Sequence, residues 1–253
     1  LSVGMVVSAL LGFRVGRRRF LSSPETARVS TSTVDAAILS LLGLLVAFTF
    51  SSAYSRYNMR RDLIVEEVNA IGTAYLRLDL LPTESRDKMQ NLFRDYVDSR
   101  IRMWHLLADR QAALAENENA ERLQNQIWQN AIEATAEETH GDARKLLLPV
   151  LNDMIDLTTK RLTAIQSHPP MIIACLLGLT ALAAAWIIGF GMSKSEAPSY
   201  LHLIGFSLVV TLSFYVILDL EYLRFGLVTL DTPHELLVEL KTKFQTAGNP
   251  GQR

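Results

Sequence analysis

Hydrophobic and polar residues are sharply segregated along this chain. Residues 34–57, 169–192 and 197–218 form long apolar segments, and neither 36–55 nor 169–192 contains an Asp, Glu, Lys or Arg. The hydrocarbon core of a bilayer is about 30 Å thick, so a helix needs about 20 apolar residues to cross it. A buried helix of a soluble protein rarely runs that long without a polar face. Each of the three segments is therefore predicted to be a transmembrane helix.

A fourth transmembrane helix is predicted at the start of the sequence. Residues 1–13 are apolar and are followed at once by arginines at positions 14, 17, 18 and 19. A secretory signal has the opposite order, with the charges before the apolar stretch. We therefore expect residues 1–13 to be the C-terminal part of a first membrane span that the numbering enters partway.

The polar segment between the second and third spans is predicted to be an extramembrane helical bundle. No strong breaker separates the second span from Leu80, so one helix should leave the membrane and continue to Pro82. Apolar residues spaced by three and four then predict further helices over about 83–118, 120–140 and 143–166. A short helix is expected at 233–244.

These elements together predict an all-α polytopic membrane protein. Its expected parts are a first transmembrane pair (residues 1–57), a helical bundle (58–168), a second transmembrane pair (169–222) and a C-terminal tail (223–253).

Composition and motifs exclude several classes of function. The net charge of -1 gives no basic excess for nucleic acid, and the lone Cys175 permits no intrachain disulfide. Phosphate-binding glycine motifs and the nucleophile elbow of hydrolases are absent from the sequence. The five histidines do not show the spacing of metal ligands. We therefore expect no catalytic activity, cofactor, metal site or nucleic-acid partner.

One face of the second span has a distinctive pattern. Small, weakly polar and aromatic residues recur on it at intervals of three and four, and the candidate pore-lining residues are Gly43, Ala47, Phe50, Ser51, Tyr54 and Asn58. Small residues allow helices to pack closely in lipid, which requires no further function. Alternatively, several copies of this face could surround a pore, where apolar and aromatic constrictions gate ion flow. The pattern alone favours packing.

Three arginines, Arg56, Arg60 and Arg61, lie where this span ends. They could anchor the helix at the membrane interface or form a basic pore mouth that concentrates anions. Asp219 and Glu221 end the last span and could pair with them. Cations flank both sides of the spans almost equally, so the positive-inside rule does not decide the orientation, although the arginines at 14–19 slightly favour a cytoplasmic first connector.

Several stretches resemble the bestrophin-like domain family of bacterial membrane proteins. They are LGLLVAFTF at 42–50, RYNMRR at 56–61, EEVNAIGTAYLR at 66–77, LLP at 80–82 and DLE at 219–221. The resemblance extends over nearly the whole chain, and the block at 42–82 is specific. One departure follows the last span, where the family has a second Asp followed by Pro and Gly. Here Glu221 replaces that Asp, no proline follows, and only Gly226 remains.

The resemblance implies a function as well as a fold. Bestrophins are oligomeric ion channels, typically anion-selective pentamers, whose second transmembrane helix lines the pore. It implies that this chain assembles with itself in the lipid bilayer, as a pentamer if the analogy holds, and conducts inorganic ions, with anions slightly favoured. It also implies a bacterial inner membrane protein with a cytoplasmic bundle and C-terminus. The alternative is a non-conducting membrane sensor or scaffold whose bundle binds a partner.

Overall fold

The structure is a computed structural model that describes residues 1–22, 32–106, 109–222 and 231–247. Every regular element among these residues is helical, which confirms the predicted all-α fold. In chain order the α-helices are α1 (Ser2–Ser22), α2 (Ser32–Arg77), α3 (Thr83–Leu106), α4 (Arg110–Ala134), α5 (Gly141–Gln166), α6 (Met171–Gly191), α7 (Tyr200–Glu221) and α8 (Asp231–Ala247). Single 3-10 turns cover Leu78–Leu80, Glu138–His140 and Met192–Lys194.

Three stretches of the described chain are long and apolar enough to cross a membrane. They contain α2, α6 and α7, which are the helices predicted at 34–57, 169–192 and 197–218. Helix α2 continues unbroken to Arg77, and the chain leaves helical geometry by Leu81 and Pro82, as the sequence predicts. Helix α1 is also 21 residues long, but its four arginines make it too polar to be counted with these three stretches. That α1 crosses the membrane therefore stays a prediction.

The chain divides into two compact units. The first, here called the apolar unit, comprises Leu1–Tyr57 and His168–Val228, and the second, called the polar unit, comprises Asn58–Ser167 and Thr229–Arg253. Helix α2 contributes its first part to the apolar unit and its second part to the polar unit. The connector at 23–31, Gly226 and the tail residues 223–230 and 248–253 lie outside the described residues.

The apolar unit is built on a close contact between α1 and α6. Gly4, Ser8, Gly12 and Gly16 recur at every fourth position of α1. A Cβ atom added to Gly12 would overlap the carbonyl of Trp186, and one added to Gly189 would overlap the carbonyl of Ala9. Small residues let helix backbones approach this closely in lipid, where packing replaces the hydrophobic effect as the force between helices. The two helices therefore meet backbone to backbone.

Helices α1 and α6 run parallel. The Ser8 hydroxyl donates to the Leu182 carbonyl at 2.9 Å, whereas Gly16, two turns further along α1, faces Phe190 and Ser193. The C-terminal ends of the two helices consequently lie at the same end of the apolar unit.

The polar unit contains a hairpin that corrects one sequence prediction. A single helix was expected over residues 83–118, but α3 ends at Leu106 and α4 begins at Arg110. The Asp109 carboxylate caps α4 by accepting hydrogen bonds from the backbone N–H groups of Gln111 and Ala112, at 3.0 and 3.1 Å. The first backbone N–H groups of a helix have no partner within the helix, and a capping aspartate accepts hydrogen bonds from them. Here this cap begins a new helix although the apolar periodicity of the sequence continues past it.

The C-terminal helix α8 packs against α2 and α3 within the polar unit. The Phe244 ring stacks on Tyr75 with centroids 3.7 Å apart, and Leu237 and Leu240 are buried beside them. Lys241 pairs with Asp98 of α3 at 2.7 Å. The helix predicted at 233–244 is thus confirmed, and its apolar face completes the core of this unit.

Candidate functional site

The patterned face of α2 is largely bare in the single chain. Only 11% of the apolar window of this helix is buried, although its length and composition suit a bilayer. Gly43, Ala47 and Ser51 are exposed, Phe50 and Tyr54 keep 43% and 50% of their surface, and Asn58 is partly buried. Elsewhere around the helix Leu42 and Ala53 are buried, whereas Leu41, Leu44 and Phe48 are also exposed. The candidate residues therefore lie on the side of α2 that this chain leaves uncovered.

Part of this face lines a groove between α2 and α7. The groove has a volume of about 430 Å³ and apolar walls. On the α2 side it is lined by Gly43, Val46, Ala47 and Phe50, and on the α7 side by Leu212, Ser213, Val216 and Ile217. Tyr54 lies one turn further along α2, and its ring is parallel to that of Phe50 at a centroid distance of 6.4 Å. The two aromatic rings thus form one continuous surface beside the groove.

Arg56 takes part in a polar cluster where the apolar part of α2 and helix α7 end. Its Nε donates to the buried Glu221 carboxylate at 2.9 Å, and its guanidinium also donates to Ser52 at 2.7 Å. The second Glu221 oxygen lies 3.3 Å from His168 Nδ1, and the His168 ring stacks on Tyr222 at 5.1 Å. The pairing of Glu221 with an arginine of the second span is confirmed.

Arg60, the second of the three arginines, makes buried contacts. Its side chain is buried within the polar unit and donates to the carbonyls of Ala164 and Ser167, at 3.1 and 3.0 Å. These contacts tie α2 to the end of α5, whose last carbonyls carry partial negative charge. Arg61, by contrast, is exposed. In the structure Arg60 joins two helices, and the pore-mouth role of the three arginines stays a prediction.

The polar unit contains a buried ion cluster that the sequence analysis missed. Glu67 of α2 is fully buried and pairs with Arg100 of α3 at 2.6 Å and with Arg161 of α5. It lies 10 residues beyond the apolar stretch that ends at Tyr57. Burial would raise the pKa of Glu67, but the two guanidinium groups outweigh it and hold the pKa at about 2. Glu67 is therefore a buried carboxylate that stays ionised.

A neutral hydrogen-bond network adjoins this ion cluster. The Tyr96 hydroxyl lies 3.0 Å from the Thr158 hydroxyl, and the Gln124 amide donates to both, at 3.0 and 2.9 Å. Burial raises the pKa of Tyr96, so it stays protonated. Together the cluster and the network join α2, α3, α4 and α5. The sequence held one indication of this cluster: Glu67 lies between Ile64 and Ile71 on the apolar face of α2, where a charged residue is unexpected.

The described residues contain no group of three or more His, Cys, Asp or Glu side chains that could hold a metal ion.

Comparison with known proteins identifies the family. The model of the bestrophin-like domain matches residues 3–223. None of the curated proteins matches the chain. Among solved structures, a single-substitution variant of a bacterial bestrophin homologue from Klebsiella pneumoniae is 13% identical with a TM-score of 0.68, and the match covers 96% of this chain and 99% of that one. A variant of a protein described as a membrane protein is 12% identical with a TM-score of 0.70, covering 98% of each chain.

These identities are low, so the solved structures show a shared fold. The match to the family model extends over most of the sequence and includes α1, α2, α6 and α7. Together with the apolar helices, it shows that this is a membrane protein. The resemblance noted in the sequence is confirmed: the chain belongs to the bestrophin-like family.

Proposed function

We propose that this protein is an oligomeric ion channel, or a channel-like membrane protein, whose pore is lined by α2. The observation that carries the proposal is the uncovered face of α2, where small and aromatic residues alternate along a helix of membrane-spanning length. In a ring of identical subunits that face would surround the axis, and a closed ring leaves no copy of it unpaired. Membership in the bestrophin-like family supports the same arrangement.

The residues of this face suit a pore, which must admit water and ions and must also be able to stop their flow. Gly43, Ala47 and Ser51 are small, so they leave room for water near the axis. The parallel rings of Phe50 and Tyr54 would form an apolar constriction, and such constrictions gate ion flow by excluding water. Asn58 would extend the polar end of the pathway.

Anions are the ions that the proposal slightly favours. The analogy with bestrophins is the main reason, and the exposed Arg61 beyond the constriction adds a positive charge from every subunit. Arg56 contributes less, because Glu221 neutralises much of its charge. Arg60 contributes nothing to the mouth, since its charge is buried in the polar unit.

The proposal includes a topology. Helices α1, α2, α6 and α7 would form four membrane spans in a bacterial inner membrane, with the polar unit and the C-terminus in the cytoplasm. Self-assembly into a pentamer follows from the same analogy. We expect no catalytic activity, because no acid, base and nucleophile converge on this face.

Current recordings test the channel directly. Purified protein in planar bilayers should show single-channel currents in potassium chloride, and Phe50→Ala should widen the constriction and raise the conductance or the open probability. Phe48→Ala is the matched control, because Phe48 is 64% exposed and belongs to the other face of α2. The proposal fails if no currents appear in any common salt, or if both substitutions have the same effect.

The alternative is a non-conducting sensor or scaffold that binds a partner through the polar unit. It is favoured by the extent of this unit, which has a hydrophobic core and a buried ion cluster of its own. Capture of a stoichiometric partner by the full-length protein, together with silent bilayers, would support this reading over the channel.

A further inference from the structure

Helix α1 carries an exposed apolar stripe that lies about 100° around the helix from the small-residue ridge contacting α6. Val3, Val7, Leu11 and Val15 recur at every fourth position and keep 77%, 49%, 44% and 38% of their surface. From Val3 to Val15 the stripe covers 12 steps along the helix, or about 18 Å at about 1.5 Å per step. One leaflet contributes about 15 Å to a hydrocarbon core of about 30 Å. The described part of the stripe is therefore long enough to lie along the acyl chains of one leaflet.

Exposed cations begin where this stripe ends. Arg14 lies beside Val15, and Arg18 and Arg19 follow about 5 Å further along the helix axis. Arg17 donates to the Ser195 carbonyl at 2.5 Å, which fixes the end of α1 against the connector after α6. That connector contains one exposed cation, Lys194, and one acidic residue, Glu196. Among the described residues, this end of the apolar unit therefore carries more cations than acids.

We propose that this surface binds anionic phospholipids, with acyl chains along the apolar stripe and phosphate groups at Arg14, Arg18 and Arg19. The polar headgroup layer begins where the hydrocarbon ends, so the guanidinium groups lie at the depth of the lipid phosphates. Arginine offers paired N–H donors that match the oxygens of a phosphate. A free phosphate or an acidic protein segment would use the cations but not the apolar stripe, whereas a phospholipid fits both.

The expected preference is measurable. Each cation near an anionic leaflet contributes an attraction that corresponds to about a fivefold enrichment of negatively charged lipid. The inference rests on α1 and α6 lying in the bilayer, which is part of the proposed function, and it needs no ion conduction. The experiment must therefore measure two things separately: whether lipid chains contact α1 and α6 at all, and which headgroup those lipids carry.

Trp186 is a natural reporter for that experiment. It is one of three tryptophans, its backbone lies against Gly12, and 37% of its surface is exposed. The other two, Trp104 and Trp128, belong to the polar unit and can be replaced by phenylalanine. The full-length single-tryptophan protein is reconstituted into mixed vesicles in which either the phosphatidylglycerol or the phosphatidylcholine carries brominated chains. Quenching of Trp186 by each lipid then gives their relative occupancy beside α1 and α6.

We expect brominated phosphatidylglycerol to occupy the site at least about fivefold more than brominated phosphatidylcholine, which is the factor for a single cation. The triple variant Arg14→Gln, Arg18→Gln and Arg19→Gln should reduce the ratio to about one. The matched control removes the same three charges from the polar unit, as Lys88→Gln, Arg144→Gln and Lys145→Gln, and should keep the preference.

Each other outcome overturns a different statement. Equal quenching of the unmodified site by the two lipids would refute the headgroup site and leave α1 and α6 in the bilayer. Quenching by neither lipid would refute the bilayer placement of this helix pair and the site with it. An equal loss of preference in the control variant would show that total charge, and not this surface, selects the lipid.

Discussion

Replacing Glu67 by glutamine should strongly destabilise the protein. The substitution keeps the shape of the side chain but leaves Arg100 and Arg161 without their buried carboxylate, and both arginines are almost fully buried. At 2.6 Å and an effective dielectric constant of about 20, each such pair gains roughly 6 kcal/mol of Coulomb energy before desolvation is subtracted. Removing one partner of a buried ion pair typically costs about 3–5 kcal/mol.

Thermal unfolding of the full-length protein in detergent, followed by circular dichroism at neutral pH, measures this effect. In a chain of this length each kcal/mol lowers the melting temperature by about 2–4 °C, so Glu67→Gln should lower it by about 6–20 °C. Glu239→Gln is the control, because it breaks an exposed pair with Lys243 that is worth less than about 1 kcal/mol.

A compensating variant separates the charge imbalance from loss of packing. Buried ion pairs replaced as a whole by apolar residues of similar size often keep or gain stability. Glu67→Leu combined with Arg100→Met and Arg161→Met should therefore recover most of the melting temperature lost in Glu67→Gln. Equal shifts for Glu67→Gln and Glu239→Gln would contradict the assignment of a buried, ionised cluster.

Two further predictions use other features of the structure. The pKa of Glu67 is lowered from 4.5 to about 2 on folding, so its contribution to stability is complete above pH ~4.5 and is lost as the pH falls towards 2. Acid titration of the melting temperature should therefore show a smaller loss in Glu67→Gln than in the unmodified protein, and the loss that remains includes that of Glu116, whose pKa is also about 2. Gly189→Ala should lower the free energy of unfolding by at least about 1–3 kcal/mol in the same assay, because its Cβ would overlap the Ala9 carbonyl. Gly178→Ala is the control: its Cβ meets no atom within 4 Å, so it should be neutral or slightly stabilising. Equal effects of the two substitutions would contradict the close contact of α1 with α6.

The membrane helices could be predicted from the sequence because their determinants are local. A bilayer requires about 20 consecutive apolar residues, and that requirement can be read segment by segment without knowing the neighbours. The continuation of α2 to Leu80 followed in the same way from the absence of a breaker before Pro82. The face of α2 that the chain leaves uncovered was also visible as a helical period.

Features that depend on partners far along the chain could not be predicted. A charge at the end of a span, such as Arg60, is exposed or buried according to what another helix offers, and here α5 offers two carbonyls. Glu67 has a polar side chain on an apolar face, and only the arrival of Arg100 and Arg161 makes its burial favourable. The break between α3 and α4 was missed because the apolar periodicity of the sequence continues past Leu106, whereas the capping aspartate acts only on the residues next to it.

The contact of α1 with α6 joins two helices that the ribosome synthesises at widely separated times. Ser8 and the Leu182 carbonyl that it contacts are separated by 174 positions, and the ribosome adds about 5–20 residues per second. The first helix is therefore synthesised roughly 10–35 s before its partner exists. During that interval the ridge of Gly4, Ser8, Gly12 and Gly16 has no native neighbour on this chain, and small-residue ridges associate readily with other helices in a bilayer. The architecture therefore leaves the nascent first helix open to association with other small-residue helices until α6 emerges.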